Sequence, residues 1–246
     1  MLKFLEKVHF HVKLAFSLFL QAFCNSNNPI FSRIIEENVA VHPSSPLHWI
    51  LQTDFWGMDL KSLASHQSFR PITSLTFRIE SLLLGGVQFH LARHVTNLIL
   101  HFFNVLLVHS ILQSSIISSR KSFRKITVEN SKWESRLIDL VTLLIAVHPV
   151  QSEAVISLYG RADLLSSFFV LLAINQSQSN TSSLILGLLA VLSKETGIAV
   201  FPLLGLKEGL KHFGTKSERS KGNISKIVSS KKYFKNQFKK ISPETP

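Results

Sequence analysis

Three charged side chains stand in an apolar part of the sequence, where a carboxylate and a cation could do chemistry. Glu153, Arg161 and Asp163 fall within HPVQSEAVISLYGRADLL, residues 148–165, with apolar runs on both sides. A carboxylate can act as a general base, and a guanidinium can hold an anion bidentately. On one continuous helix Arg161 would lie about 80° from Glu153, and Asp163 about 200° beyond Arg161. The three share no face unless Gly160 interrupts the helix, so two interpretations stay open: a buried arginine–aspartate pair that joins helices, and a functional site.

A second charged pair, Lys194 and Glu195, interrupts the apolar run LILGLLAVLSKETGIAVFPLLGL, residues 184–206. If this run is a single membrane span, the basic tail after it lies on the side opposite the other basic loop. The tail stays on the same side only if the run breaks at Lys194–Glu195 and returns as two half-helices, as helices do around membrane sites. The sequence leaves both arrangements open.

Arg70, in SHQSFRP, is a further candidate, because a guanidinium directly before a helix could bind a phosphate bidentately. A solvated arginine is the alternative. Pro71 suits a first helical turn and Gly85–Gly86 a stop, so the sequence predicts a helix over 71–84. An apolar stripe runs along this helix, and we expect it to pack against other helices rather than to lie flat on a membrane. The stripe consists of Ile72, Leu75, Ile79, Leu82 and Leu83.

The composition indicates the setting in which these side chains would work. Hydrophobic residues make up 46% of the 246 residues, the net charge is +12 and the mean hydropathy is +0.23. Eleven of the 27 lysines and arginines follow residue 206 and six lie between 120 and 136, with apolar runs between these clusters. This distribution favours a membrane protein with cytoplasmic basic loops over a nucleic-acid binder. The single cysteine, Cys24, excludes an intramolecular disulfide and a metal site built on cysteines.

Several segments are predicted to cross the membrane. The apolar stretch within 1–24 could be a signal anchor or first span, and 91–112 is the first convincing span. Residues 137–150 and 153–174 are predicted to form a helical hairpin that turns at His148–Pro149. A polar stripe on the span at 91–112 must face protein or water, and helix–helix hydrogen bonding is favoured over a face that lines a substrate site. The stripe consists of His90, His94, Asn97, His101 and Asn104.

The predicted fold is an all-α membrane protein, a multipass helical bundle of about 4–6 spans. Its predicted parts are a signal anchor or first span (1–24), a large lumenal loop (25–88), a helical membrane bundle (89–206) and a basic tail (207–246). No metal site, bound cofactor or nucleic-acid partner is predicted. Three glycosylation sequons would report the topology, and they begin at Asn175, Asn180 and Asn223.

Six motifs in order resemble the multipass region of the transmembrane, TPR-containing O-mannosyltransferases that act on cadherins. The resemblance extends from about Arg33 to Leu206. Any single motif would be a weak signal, whereas six in the same order and spacing are a strong one. The motifs are DFWG (54–57), SHQSFRPITSLTFR (65–78), HVTNLILH (94–101), HPVQSEAV (148–155), GRADLL (160–165) and LSKETGI (192–198).

The resemblance implies the first half of a GT-C-type glycosyltransferase of the endoplasmic reticulum membrane. Such an enzyme transfers mannose from dolichyl phosphate mannose to serine or threonine hydroxyls of a protein acceptor, here a cadherin-like one, on the lumenal side. It needs a carboxylate as base and cations for the departing lipid phosphate. The resemblance implies catalytic carboxylates at Glu153 and Asp163. It implies substrate-binding side chains at His66, Arg70, His148, Arg161, Lys194 and Glu195.

Two departures from the family pattern bear on activity. The family has an acidic pair in its first lumenal loop, where this sequence has Ile30 and Phe31, and Gln151 replaces the usual second histidine of HPVQSEAV. The family also continues into further spans and a long TPR array that this sequence does not contain. We therefore expect a truncated, inactive member of the family. The alternative is a non-catalytic membrane protein that binds lipid-linked sugar or a partner subunit.

Overall fold

The computed structural model describes the backbone of residues 34–87, 89–122, 128–176 and 180–210. The predicted signal anchor at 1–24, the positions Ile30 and Phe31, the sequon at Asn223 and the tail beyond 210 lie outside these residues. The described residues are all-helical, as the sequence predicts, and contain one isolated antiparallel bridge between Thr53 and Asp59. The first compact unit ends at Phe201, and the described residues of the second, 202–210, are helical.

The helices are numbered in chain order. They are α1 (Trp49–Gln52), α2 (Pro71–Leu84), α3 (His90–Ser122), α4 (Val128–Val147), α5 (Pro149–Ile156), α6 (Arg161–Asn175) and α7 (Asn180–Ser193), followed by a 3-10 helix (Glu195–Ala199) and a helical segment at 200–210.

Helix α2 has the bounds that the sequence predicts, but it buries the face opposite to the expected one. Pro71 occupies its first turn, and Gly85 ends it with a φ of 75°, a left-handed conformation that glycine adopts without strain. Phe77 and Arg78 are buried, whereas Leu83 in the apolar stripe is 80% exposed. The expectation that the stripe packs is therefore wrong within the described residues. Instead, the side chains that face the bundle include those that find polar partners there.

The loop before α2 folds onto this helix and onto the segment after α5. The Arg78 guanidinium donates to the carbonyl oxygens of Ala40 (3.2 Å) and Ser45. A small apolar core lies beneath these hydrogen bonds, so the loop is fixed by both kinds of contact. The core consists of Ile34, Ile35, Val41, Phe55, Phe77 and Leu158.

One described helix is long and apolar enough to cross a membrane, the part of α3 from His90 to Ile117. Helices α4, from Trp133, and α5 pass the same test only as a pair, and they are bent by 52°. Helices α6 and α7 have 15 and 14 residues, fewer than the roughly 20 that cross a hydrocarbon core. The structure thus contains one candidate span, and a second if the bent pair is counted as one.

Four of the five members of the polar stripe of α3 are buried, and three of these donate hydrogen bonds to main-chain carbonyls of neighbouring elements. His90, at the start of the helix, is partly exposed and pairs with Glu36. His101 Nε2 donates to the Ala146 oxygen in the last turn of α4 (3.1 Å), and Asn97 Nδ2 donates to the Ser157 oxygen after α5 (3.1 Å). Asn104 Nδ2 donates similarly to α6 (3.0 Å). Carbonyls in the last turn of a helix have no partner within that helix. His101 and Asn97 supply that partner at the ends of α4 and α5. Together with the Asn104 bond to α6, these contacts confirm helix–helix hydrogen bonding as the use of the stripe.

The connection from α4 to α6 is longer than the sequence predicts. Helix α5 ends at Ile156, residues 157–160 form a break and α6 begins at Arg161, so the predicted continuous helix over 153–174 is wrong. Gly160 allows the break, because a Cβ at this position would lie 2.4 Å from the Ala154 carbonyl oxygen. Only glycine lets the start of α6 approach α5 so closely.

The second charged apolar run breaks at Lys194, where the sequence leaves a single span and two half-helices open. Lys194 is extended between α7 and the 3-10 helix. Small residues let the chain fold back along α7: a Cβ at Gly197 would lie 2.5 Å from backbone atoms of α7, and one at Gly187 would lie 3.1 Å from Val200. The described chain therefore has the broken arrangement.

Replacing Gly160 by alanine should strongly destabilise the fold, because the new Cβ would meet backbone rather than a movable side chain. We expect the free energy of unfolding to fall by about 1–3 kcal/mol or more, seen as a lower midpoint of thermal unfolding in detergent. Gly205→Ala is the matched control, since nothing lies within 4 Å of a Cβ there. An unchanged midpoint for Gly160→Ala would contradict the close contact between α5 and α6.

Candidate functional site

The carboxylate of Asp54 ties the DFWG and SHQSFRP motifs together. Its Oδ1 accepts the backbone N–H groups of Trp56 and Met58, both at 2.9 Å. Its Oδ2 accepts the Ser65 hydroxyl at 2.7 Å and the His66 backbone N–H at 3.1 Å. A buried carboxylate with four donors is fully hydrogen-bonded, so it can hold two loop segments in one arrangement. This arrangement sets the position of Arg70, which follows these loop segments in the chain.

Arg70 lies at the start of α2, where that helix meets the end of α7. Its guanidinium carbon is 5.1 Å from the centre of the Phe55 ring, a cation–π contact. Three positions further on, the Thr73 hydroxyl donates to the Ser193 carbonyl oxygen (2.8 Å). This bond closes the gap between two segments 120 residues apart and brings Arg70 beside the break that follows α7.

Four of the eight predicted site residues come together here as two ion pairs, which we name the charged rim: Arg70, Asp163, Lys194 and Glu195. Arg70 Nε lies 3.2 and 3.1 Å from the two carboxylate oxygens of Glu195, and Nη2 lies 3.0 Å from Oε2. Lys194 Nζ lies 2.5 Å from Asp163 Oδ1. Lys194 and Glu195 are consecutive residues at the break after α7, so the two pairs form one cluster.

The two carboxylates of the charged rim lie further out than the two cations. The side chains of Arg70 and Lys194 are 18% and 21% exposed, whereas those of Glu195 and Asp163 are 49% and 44% exposed. A cation that is mostly enclosed and faces water on one side can hold an anionic ligand bidentately or as a point charge. The charged rim therefore has the groups needed to bind phosphate.

Arg161 belongs to a different cluster, which is buried. Its Nη1 donates to Glu80 Oε2 at 2.6 Å and its Nε to Asn97 Oδ1 at 2.9 Å, while Nη2 donates to the Arg93 carbonyl oxygen at 2.9 Å. The guanidinium also lies 4.0 Å from the centre of the Phe77 ring, and the residue has no exposed surface. Arg161 thus pairs with a glutamate of α2, not with Asp163, and it joins α2, α3 and α6.

Arg93 shares the carboxylate that Arg161 uses. Arg93 Nε lies 3.7 Å from Glu80 Oε2, and its Nη2 donates to the Ser81 hydroxyl at 2.7 Å. Two buried guanidinium groups therefore depend on one carboxylate that is 15% exposed. Glu80 and Arg93 were not among the residues predicted from the sequence. Arg93 could have been found, because it falls four residues before Asn97 and so extends the polar face of α3.

The remaining predicted residues lie at other exposed positions. Glu153 Oε1 accepts the Tyr159 hydroxyl (3.2 Å), and His148 Nδ1 accepts the Val150 backbone N–H at the start of α5 (3.3 Å). The ring of His66 packs edge-on against Trp56 at 6.2 Å. None of the contacts found in the described part of the chain joins these three side chains to the charged rim. The two predicted catalytic carboxylates, Glu153 and Asp163, therefore have separate partners.

Removing the charge of Glu80 should destabilise the chain far more than removing an exposed carboxylate. Glu80→Gln would leave two buried guanidinium groups without a counter-charge, and we expect a loss of about 3–5 kcal/mol in the free energy of unfolding. Glu36→Gln is the matched control, because its pair with His90 is exposed on both sides and should contribute about 1 kcal/mol or less. Equal unfolding midpoints for the two variants would contradict the structural role of Glu80.

Comparison with known proteins identifies relatives over most of this chain. The mouse protein O-mannosyl-transferase TMTC4 is 37% identical over 193 residues, which are 70% of this chain and 25% of that protein. Human TMTC3 is 35% identical over 180 residues, which are 68% of this chain and 17% of that protein. The protein O-mannosyl-transferase F38B6.6 of Caenorhabditis elegans is 32% identical over 187 residues, 74% of this chain and 25% of the relative. No family model and no solved structure matches the chain.

The chain spans a quarter or less of the length of these curated relatives. The identity of 32–37% over about 70% of the chain confirms the resemblance that the six motifs predict. By its sequence, the chain belongs to the TMTC family of protein O-mannosyl-transferases.

Proposed function

We propose that this chain forms part of the donor site of a protein O-mannosyltransferase in the endoplasmic reticulum membrane, with dolichyl phosphate mannose as the donor. The observation that carries the proposal is the meeting of Arg70 and Lys194, two partly exposed cations from distant segments, in the charged rim. A dolichyl phosphate ester presents an anionic phosphate at the membrane surface. The two cations would hold that phosphate while mannose leaves it.

The surfaces beside the charged rim support a membrane setting. Apolar side chains on α3, α4 and α7 face outwards from the described bundle, where water would be an unfavourable neighbour and lipid a favourable one. The outward-facing side chains include Ile99, Phe102, Phe103, Leu106, Leu140, Leu144, Leu184, Ile185 and Leu188.

The orientation follows from the distribution of charge along α3. This helix of 33 residues begins beside the Arg161 cluster and extends about 50 Å to the basic segment around 120–136. Basic loops stay on the cytoplasmic side. The charged rim then faces the lumen, where a protein acceptor with serine or threonine hydroxyls, such as a cadherin-like domain, would meet the donor.

Transfer would break the bond between mannose C1 and the phosphate oxygen and form one to the acceptor oxygen. The acceptor proton would pass to a carboxylate and the lipid phosphate would leave. Asp163 and Glu195 are the carboxylates nearest to the proposed phosphate position, because each contacts one of its cations. This contact makes them better placed than Glu153, which contacts Tyr159.

A non-catalytic role is the second candidate, and one sequence observation favours it. The family's acidic pair is replaced by Ile30 and Phe31, which lie outside the described residues. A chain that lacks this pair would bind the lipid-linked sugar, or a partner subunit, without transferring mannose. Measuring donor binding and mannose transfer on the same preparation separates the two candidates, since only an enzyme does both.

Donor binding should depend on the two cations of the charged rim. Arg70→Ala and Lys194→Ala should each weaken binding of dolichyl phosphate mannose by about tenfold or more, because each removes a charge-assisted hydrogen bond. Binding would be measured by native mass spectrometry of the full chain in nanodiscs. Lys61→Ala is the control, since Lys61 is exposed and it is the backbone N–H of this residue that donates to Asp59. Wild-type affinity in both rim variants would exclude the charged rim as the phosphate site.

The proposed orientation can be checked by glycosylation. Leu63→Asn creates a sequon with Ser65 at a fully exposed position of the loop before α2, and we expect a glycan there that endoglycosidase H removes. Asn175 contacts Ser110 in the second half of α3 (3.3 Å). The end of α6 and the start of α7 would then lie on the cytoplasmic side, and Asn175 and Asn180 should stay unmodified in microsomes. A glycan at either asparagine would reverse the orientation.

A further inference from the structure

We propose that Asp163 and Glu195 are built-in competitors of the donor phosphate, so that an anionic ligand binds the charged rim by displacing them from Lys194 and Arg70. This inference rests on the proposed function, because it concerns the same phosphate position. It adds a way in which the site selects its ligand: the ligand must replace carboxylates that already hold both cations.

The contact between Glu195 and Arg70 uses the edge of the guanidinium that a phosphate would need. Nε and Nη2 both point at the carboxylate, at 3.0–3.2 Å. This side-on, bidentate geometry suits carboxylate and phosphate alike, because both offer two oxygens at a similar separation. The Arg70 guanidinium also makes a cation–π contact with the Phe55 ring, at 5.1 Å from its centre. Glu195 and a phosphate therefore cannot occupy this edge together.

The contact between Asp163 and Lys194 has the same character. Lys194 Nζ lies 2.5 Å from Asp163 Oδ1, and the lysine backbone is fixed, because its N–H donates to the Ala190 carbonyl oxygen at 3.0 Å. Asp163 lies in the first turn of α6. A carboxylate in that turn is stabilised by the helix dipole whether or not it contacts a cation. Asp163 can therefore leave Lys194 without becoming an uncompensated charge.

The difference in exposure decides which partner moves. Both carboxylates are nearly half exposed, whereas both cations are about one-fifth exposed. An ion pair with one partner in water contributes little to stability, so releasing the carboxylate into solvent is easy. The buried Arg161 cluster is the contrasting case: its carboxylate, on Glu80, is mostly enclosed and holds two guanidinium groups. An anion could not displace Glu80 without unfolding the contact between α2 and α6.

The test uses isosteric amides in the full chain. Glu195→Gln and Asp163→Asn keep size and hydrogen-bonding groups but lose the charge, and each should tighten binding of dolichyl phosphate mannose in nanodiscs by about fivefold. Glu195→Asp keeps the charge but withdraws the carboxylate from Arg70, so it should also tighten binding. Asp59→Asn is the control for a general change of net charge, since Asp59 is exposed and caps the Lys61 N–H; it should leave the affinity unchanged.

The outcomes separate this inference from the proposed function. If the wild type binds the donor, the cation variants lose binding and the amide variants bind no more tightly, the competition is overturned and the donor site stands. If no variant binds either the donor or inorganic phosphate, both are overturned. Inorganic phosphate is measured alongside: tightening of its binding in the amide variants, without any donor binding, would support the competition while replacing the lipid-linked donor by a free phosphate. Thermal unfolding of each variant confirms that it is folded.

Discussion

The Arg161 guanidinium carries a charge at a point that water does not reach, and three segments far apart in sequence must meet there to compensate it. Glu80 brings the counter-charge from α2, while Asn97 and a carbonyl oxygen of α3 fill the remaining hydrogen bonds. A buried charge that lost one of these partners would be strongly destabilising. The loop helix α2 is therefore held against the bundle, and with it Arg70. Asp163, two positions after Arg161, is placed by the same contact.

The need to give each buried polar group a partner also explains how the helices can break inside the bundle. Each break exposes carbonyl groups that lack a partner within their helix. Asn97 and His101 of α3 donate to such carbonyls after α5 and at the end of α4. Irregular backbone at membrane depth is tolerated only where protein or a polar cavity surrounds it. The polar stripe of α3 thus stabilises the short helices α5 and α6. Charged side chains are located at the ends of these short helices.

Features that depend on neighbouring residues were predictable, and features that depend on distant ones were not. The bounds of α2 follow from Pro71 and Gly85, and the burial of the α3 stripe follows from its helical spacing. The break before Arg161 depends on how closely Gly160 approaches Ala154, which no periodicity reveals. The pairing of Arg161 with Glu80 joins residues 81 positions apart. The buried face of α2 was assigned wrongly because polar partners of Thr73 and Arg78, together with the packing of Phe77 in the apolar core, lie on the side opposite the apolar stripe.

The motif GRADLL shows why a set of charged motif residues cannot be treated as one site. Arg161 and Asp163 are two positions apart, so on α6 they point about 160° apart as the helix turns. Arg161 faces inwards to a carboxylate that it shares with Arg93, and Asp163 faces outwards to Lys194. In the buried cluster two cations share one carboxylate, which cannot be exchanged for another anion. In the charged rim each cation has its own exposed carboxylate, which is the condition for the proposed exchange with another anion. The same three-residue segment therefore supplies both the support of the site and a group that can respond to a ligand.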